Sequence, residues 1–450
     1  MSSKRRIEEG LDDNNSAWAT EAPLPSFSPT PLEGDCEADV AIIGGGYTGV
    51  SLALALSERF PERRVVLLEA RRVGNGASGR NGGIVLNLMP HPEQSPQQSA
   101  LHYAATTGAI ERIEQRAKAF APGSFKRATV MRVSTTDENM RENAEHAAEL
   151  NAVGVPVRLL DARELSALVH VAGAKGALAD PNGGSLNGVA YLRGVAAELL
   201  RRGVVLHEMT PVLRVEQGTP RHRVHCEHGV VSATTLVLAT NGYTRALGFF
   251  RRNLIPLSSR VVSTRPLSES ERAAIGWSDE LGGFSDDHPR VTYASLTAGG
   301  RMVFGGGARL AYRYAFAGGT RDDGPDTAAG YDAIEARLAH CFPALRGIEI
   351  EARWSAPLGL TFSRACSIGR MRGAREVLHG VGFSGNGVTM SNLAGEILCD
   401  IYAGDEARWQ GHQWVHRRME WVPPEPMRWI GYQLFTRVLG YTPRIKPRDT

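Results

Sequence analysis

The stretch "ADVAIIGGGYTGVSLALALSERFPERRVVLLEA" spans residues 38–70. A β-branched run, Val40 to Ile43, halts at three glycines. A segment with helical apolar spacing follows and ends before Pro61, and a second continuous apolar run (64–70) ends on an acid. Strand, glycine turn, helix, strand is a βαβ unit. Within the turn, Gly44, Gly46 and Gly49 stand at the spacing of a dinucleotide fingerprint, and Glu69 lies 20 residues beyond Gly49. Gly44 permits the tight turn, Gly46 lets backbone approach a pyrophosphate, and Gly49 allows close strand–helix packing. The pyrophosphate is expected on the helix N-terminus, where free N–H groups and a partial positive charge await it. Glu69 is expected to accept hydrogen bonds from the adenosine ribose, which favours NAD or FAD over a phosphorylated ribose.

The next segment decides between those two. "GNGASGRNGG" (74–83) carries five glycines in ten residues. It begins five residues after Glu69, so it is expected to run along the rest of the cofactor. Glycines remove the Cβ atoms that would hold backbone away from a flat ring. Ser78 and Asn81 add short polar groups for phosphate or ribityl contacts. A nicotinamide enzyme has no evident need for such a loop, so the expected cofactor is FAD. A disordered linker is the competing reading.

The rest of the chain bounds this reading. Its 450 residues imply two domains. A net charge of +3, from 51 basic and 48 acidic residues, gives no reason to expect nucleic acid as partner. Five scattered cysteines without a CxxC spacing argue against a disulfide framework or a zinc site, and no metal is expected. The polar N-terminus lacks an apolar run, and no window of about 18 apolar residues exists, so a cytoplasmic location without a membrane span is expected. Residues 1–36 read as a disordered or extended strap, on account of charge and then proline. Helices are predicted over 138–154, 190–203 and 330–340, a hairpin over 290–307, and strand, glycine loop and helix over 377–404.

Taken together, "DVAIIGGGYTGVSLALAL…VVLLEARRVGNGASGRNGG", "GGSLNGVAYLRGVAAELLRRGVVLHEMTPVLRVE", "LVLATNGYT", "GVGFSGNGVTMSNLAGEIL" and "WVPPEPMRW" resemble the FAD-dependent D-amino acid oxidase superfamily, in its gamma-glutamylputrescine oxidase-like branch. The resemblance covers about residues 16–440. It implies an α/β fold: a Rossmann-like FAD-binding domain assembled from discontinuous segments (37–90, 187–245 and 356–450), plus an α+β substrate domain (91–186 and 246–355) with a mostly antiparallel sheet. It also implies roles residue by residue. Gly46, Tyr47 and Thr48 would face the pyrophosphate and Glu69 would hold the ribose, with Gly44, Gly49 and Ala70 also in the cofactor-binding set. Ser78, Asn81, Gly82 and Gly83 would line the flavin side, and Val212 the adenine region. Ala239 and Thr240 would border the adenosine. Gly385, Asn386, Gly387, Val388 and Thr389 would approach the ribityl and pyrimidine end.

Departures from the family pattern carry information. Asn386 stands where relatives usually have histidine, and Ser363 where they usually have aspartate. Sarcosine oxidases attach FAD to a cysteine at a place near Ala356 here, so the FAD is expected to be non-covalent. No lysine occurs from Gly176 to Ile445, so a lysine that activates oxygen is not expected and the acceptor is oxygen or another carrier. Tyr293 and Asn386 are the candidates for contact with substrate, with core packing the competing reading for Tyr293. "RWIGYQLFTRVLGY" (428–441) has the spacing of a membrane-surface helix, though the resemblance favours docking on the body.

The expected activity is oxidation of a primary or secondary amine or amino acid to an imine by hydride transfer to flavin N5, then hydrolysis to an aldehyde or keto acid. The alternative is a 2-hydroxy acid dehydrogenase passing electrons to a quinone or carrier. That reaction needs a base beside N5, and no histidine stands in the motifs. A third reading is a non-catalytic FAD-binding protein, against which the glycine loops on both sides of the flavin argue.

Overall fold

The structure is a computed structural model that describes residues 14–28, 30–87, 95–374, 376–434 and 436. Two sheets organise the chain. In the first, strands Val205–His207, Val65–Leu68, Cys36–Ile43, Val230–Leu238 and Val377–Val381 lie side by side and parallel. Their central stretches, Val40–Ile43, Val65–Leu68 and Leu236–Leu238, are apolar and buried, as strands covered on both faces must be. Helices Tyr47–Arg59, Gly188–Arg201 and Gly387–Ala403 cover one face through Leu52, Leu56, Leu192, Leu199, Leu393 and Ile397, all buried. Arg214–Glu216 and His222–His225 extend the sheet antiparallel beyond Val230–Leu238.

Among the described residues the second sheet has nine strands, and Leu281–Asp286 with Thr129–Ser134 is its one parallel pair. Its long central strands are Ile255–Pro266 and Ile350–Leu360. The predicted hairpin is Tyr293–Leu296 against Arg301–Gly305. A small sheet of Ile84–Val85, Gly184–Leu186 and Phe125–Arg127 lies beside it. The organisation is mixed α/β, with a Rossmann-like parallel sheet and a mostly antiparallel second sheet.

Two elements differ from the sequence reading. Residues Ala17–Glu21 form a helix, so 1–36 is not simply a disordered or extended strap. Ser16 caps the helix, its hydroxyl accepting from the Ala19 N–H, and Trp18 is buried at 3% exposure. The physical reason is tertiary: an isolated five-residue helix is unstable, and this one rests on burial of its tryptophan. Residues 1–13 lie outside the described residues. The second is the longest helix, Pro96–Phe120, which the sequence reading passes over. "SPQQ" builds its start: Ser95 and Gln98 exchange side-chain-to-backbone bonds in a capping box, with Pro96 in the first turn.

The helix Met427–Gln433 docks on the body through Arg428, whose Nη2 donates to the Arg251 carbonyl at 3.0 Å, and through Tyr432, whose hydroxyl donates to the Tyr312 carbonyl at 2.8 Å. The rest of the 428–441 stretch, beyond Leu434 and Thr436, lies outside the described residues.

Candidate active site

The fingerprint turn is built by strand register. Ile43 pairs with Leu68 on one side and Leu238 on the other, so the turns after all three strands meet at one sheet edge. Gly44 has φ +110°, and a Cβ there would lie 2.7 Å from the Ala239 carbonyl oxygen. A Cβ on Gly49 would lie 2.0 Å from the Gly44 carbonyl oxygen. Both positions therefore exclude a side chain on local grounds.

Glu69 follows its strand into this edge. Its Oε2 accepts from the Gly45 N–H at 2.7 Å and its Oε1 from the Arg71 N–H at 3.0 Å. Burial pushes the Glu69 carboxyl above the usual carboxylate range, against the lowering pull of the Arg71 and Gly45 amides. The segment carrying Val212 runs alongside, with the Thr210 N–H donating to the Glu69 carbonyl at 2.9 Å, and Val212 itself is buried. Ala70, half-buried, continues the edge. Thr240 donates to or accepts from Thr244 at 2.9 Å and opens a 3-10 turn at the same edge.

The helix Tyr47–Arg59 starts at Gly46 with no side-chain cap. Ser78 reaches this start, accepting from the Tyr47 N–H at 3.2 Å. The Tyr47 ring is buried, and a Cβ on Gly188 would lie 2.1 Å from its hydroxyl oxygen and 2.4 Å from the Ser78 carbonyl oxygen. Tyr47 thus meets the loop through its backbone N–H at Ser78 and through its buried hydroxyl on the side of Asn81. Thr48 is buried beside Gly380, where an added Cβ would lie 2.9 Å from the Thr48 methyl.

The glycine loop folds around protein side chains, which the sequence reading did not foresee. A Cβ on Gly82 would lie 2.8 Å from Cδ2 of Tyr293, and one on Gly83 would lie 2.3 Å from Cζ2 of Trp18. Trp18 Nε1 donates to the Asn81 carbonyl at 2.7 Å, Ser16 Oγ donates to the Gly79 carbonyl at 2.8 Å, and Ser295 Oγ donates to the Gly82 carbonyl at 2.6 Å. Asn81 is turned into the loop itself. Its Nδ2 donates to the Ser78 carbonyl at 2.8 Å and its Oδ1 accepts from the Gly83 N–H at 2.7 Å. Its side chain therefore organises the loop from within.

On the opposite side, Val377–Val381 delivers the chain to Gly382–Gly387 and the helix Gly387–Ala403. Asn386 is the N-cap residue and its side chain makes no capping bond. Gly385 has φ +97°, yet a Cβ there would meet nothing within 4 Å, so glycine serves its backbone angle and not a close approach. Val388 is buried, and Thr389 Oγ1 donates to the Leu86 carbonyl at 2.6 Å. Asn241, missed in the sequence, joins two loops: its Oδ1 accepts from the Gly382 N–H at 3.0 Å. The motif "ATNGY" carried the signal, since Asn241 adopts φ +40° beside a glycine.

Tyr293 stands at the glycine loop, within 3.3 Å of the Ser259 hydroxyl through its own. Burial pushes its phenol up to about 12. Ser259 also pairs with Tyr312 across the sheet. Nearby His288 accepts the Arg290 N–H on Nδ1 at 3.2 Å, which places its proton on Nε2 and leaves no free ring base. Ser363 accepts from Arg417 at 3.3 Å, and Ala356 is buried mid-strand opposite Ser259. Cys366, buried, has its thiol pushed up to about 12 by burial. Glu208, also missed, accepts the Val73 N–H at 2.6 Å and holds the start of the glycine loop.

The two helices that start beside these loops, Tyr47–Arg59 and Gly387–Ala403, have N-cap residues without side-chain caps, and the first starts at the sheet edge that carries a buried acid. That arrangement suits a dinucleotide with a pyrophosphate and a flat, charge-accepting ring. No helix among the described residues is long and apolar enough to cross a membrane.

Comparisons with known proteins agree. The chain is 30% identical over 384 residues to gamma-glutamylputrescine oxidoreductase of Escherichia coli (strain K12), covering 82% of this chain and 84% of that protein. The structure of glycine oxidase from Geobacillus kaustophilus superposes with a TM-score of 0.71 at 21% identity, covering 85% of this chain and 99% of that one. L-proline dehydrogenase from P. horikoshii gives 0.69 at 20% identity, covering 85% and 98%. The family model described as DAO, FAD dependent oxidoreductase, matches residues 39–401. With its fingerprint edge and paired helix starts, the chain belongs to the DAO family of FAD-dependent oxidoreductases.

Proposed function

We propose that the protein oxidises a primary or secondary amine or an amino acid to an imine, which water then hydrolyses to an aldehyde or keto acid. Non-covalent FAD is the cofactor of this reading, and when bound it supplies a two-electron acceptor for hydride from the carbon beside the nitrogen. The residues present fit it. The Asn386 helix start carries no side-chain cap, at the Gly46 start the Ser78 hydroxyl holds the Tyr47 amide and can give it up to a phosphate, and Glu69 can exchange an amide partner for a ribose hydroxyl.

The observation that carries the reading is the wall around Tyr293. It offers hydroxyls, from Tyr293, Ser259 and Tyr312, and phenols kept protonated by burial. Such groups orient and desolvate a substrate but do not remove a proton at neutral pH. An amine that arrives neutral needs no such base, because its lone pair assists loss of hydride. A hydroxy acid does need one, and the His288 lone pair is already engaged. The relatives' names point the same way, to gamma-glutamylputrescine, glycine and L-proline.

The experiment is anaerobic bleaching of the bound flavin by a panel of amines, amino acids and 2-hydroxy acids. Bleaching by members of the first two groups supports the reading. Bleaching by hydroxy acids alone would replace it with the dehydrogenase.

A further inference from the structure

Arg260 lies mid-strand in Ile255–Pro266 and is 0% exposed. Its Nε and Nη2 grip the Asp322 carboxylate as a fork, at 2.8 and 2.7 Å, and its Nη2 also reaches the Asp326 carboxylate at 3.3 Å. Its Nη1 donates to the Leu310 carbonyl at 2.7 Å and to the Asp326 carbonyl at 3.1 Å. Arg313 stands by the same two acids, 3.8 Å from Asp322 and 3.7 Å from Asp326, and donates to the Arg321 carbonyl at 2.8 Å. One guanidinium thus ties both ends of the segment 310–326 to the strand.

Neighbouring residues make room for this clamp at a local cost. A Cβ on Gly330, inside the helix Thr327–Cys341, would lie 1.9 Å from Arg260 Nη1, and one on Gly324 would lie 2.5 Å from Arg313 Nη2. Glycine weakens a helix interior. The same helix starts without a side-chain cap, because its N-cap residue Asp326 is turned to Arg260. Apolar side chains of similar volume hold a buried position as firmly as an ion pair does. What the guanidinium fork adds is one fixed geometry.

The other face of the strand shows what that geometry sets in place. Successive strand residues point to opposite faces, and directly paired residues share a face. Ser258 pairs with Arg313, and Ser259 with Tyr312. Arg260 and Arg313 therefore hold one face. Ser259 and Tyr312 hold the other, where the Ser259 and Tyr293 hydroxyls lie 3.3 Å apart. Tyr312–Arg313 is a two-residue strand at the end of its sheet, too short to fix a side chain by ladder bonds alone. Its further ties are the Tyr432 hydroxyl on the Tyr312 carbonyl at 2.8 Å and a long bond from the Tyr312 hydroxyl to the Val291 carbonyl at 3.4 Å.

We propose that Arg260 is a positioning residue for substrate: with Asp322 and Asp326 it clamps the edge strand from behind and so sets where Tyr312 stands. The inference rests on the proposed function, in which Tyr293, Ser259 and Tyr312 form the substrate wall. Arg260 itself never meets substrate, since its own strand lies between.

The test follows anaerobic flavin reduction across concentrations of whichever panel member bleaches the flavin fastest. The chemical class of that member tests the function and the variants test the clamp, so the two can fail separately. Asp322→Asn breaks the fork. Arg260→Met with Asp322→Asn removes the charge from both partners and leaves no buried cation unpaired. Retained FAD and an unchanged melting temperature show that the paired variant is folded. Its half-saturating concentration should nevertheless rise roughly tenfold, the scale of a misplaced contact, with a much smaller change in the limiting rate. In chains that already carry Tyr312→Ala, the same pair should add less than about twofold, because nothing is left to position. An unchanged half-saturating concentration in the folded paired variant would overturn the proposal. So would an undiminished effect of the pair on top of Tyr312→Ala.

Discussion

Trp18 fills the space that a side chain on Gly83 would need, and its indole N–H holds the Asn81 carbonyl two residues earlier at 2.7 Å. The glycine loop is thus shaped from the N-terminal side by this residue and from the second sheet by Tyr293. Whatever lies along the loop meets backbone that two remote aromatics have already set in place.

Trp18→Ala should therefore lower stability by about 3–5 kcal/mol, the scale for a buried tryptophan. It should also raise the FAD dissociation constant, because ordering the loop becomes part of the binding step. Denaturant unfolding and a fluorescence titration check the two effects. An unchanged FAD affinity in the folded variant would uncouple Trp18 from the site.

Gly82→Ala and Gly385→Ala should fail for different reasons. At Gly82 the new methyl meets the Tyr293 ring at 2.8 Å, an overpacking cost of about 1–3 kcal/mol. Tyr293→Ala in the same chain should recover much of that cost, and a double-mutant cycle measures the coupling. At Gly385 the methyl meets open space, and the cost is the strain of φ +97°, about 1 kcal/mol or more. Asn should be tolerated there better than Val, since Asn visits positive φ more readily.

Glu69 should give the FAD-free protein a distinctive pH dependence. Its folded carboxyl is raised above the ordinary value of 4.5, with burial as the main cause. A raised carboxyl contributes stability that is present below the unfolded value and is lost as pH rises through the folded one. Stability of the FAD-free protein should thus fall as pH rises above that ordinary value, and Glu69→Gln should flatten the fall. Glu208, raised in the same direction by burial, adds to the trend. Glu69→Ala should weaken FAD binding by about 1–3 kcal/mol, the scale of a charged hydrogen bond. Unfolding of the FAD-free protein across pH, and FAD titration, test each part.

Acid precipitation should leave the yellow colour in the supernatant. The site near Ala356 holds no cysteine, and the Cys366 thiol, raised by burial, is poorly placed to become a nucleophile. Colour retained in the pellet would show a covalent link.

The fingerprint unit was legible in the sequence because its constraints are local. Gly44 is required by its own φ of +110°, and Gly49 by the Gly44 carbonyl five residues away. The purpose of the glycine loop was not legible. Gly82 and Gly83 make room for Tyr293 and Trp18, which lie far off in the chain, and no local pattern exposes such a partner. The helix Pro96–Phe120 announces itself only by its cap, since its buried stripe of Ile110, Ile113 and Ala117 is thin and interrupted by charge. Helix Ala17–Glu21 has no periodicity to read and exists through tertiary burial. Asn241 looked like an ordinary turn residue, and only the folded chain shows that it joins the two loops on either side of the sheet edge.

The most direct measurement is the pH dependence of anaerobic flavin reduction by the fastest amine of the panel. With a neutral amine as the reactive form and no protein base, the rate at low substrate should rise tenfold per pH unit and level at the amine's own pKa. Tyr293→Phe should lower the rate and leave that pKa where it is, because the Tyr293 phenol stays protonated. A rate that falls as pH rises, or an ionisation that disappears with Tyr293→Phe, would contradict the account.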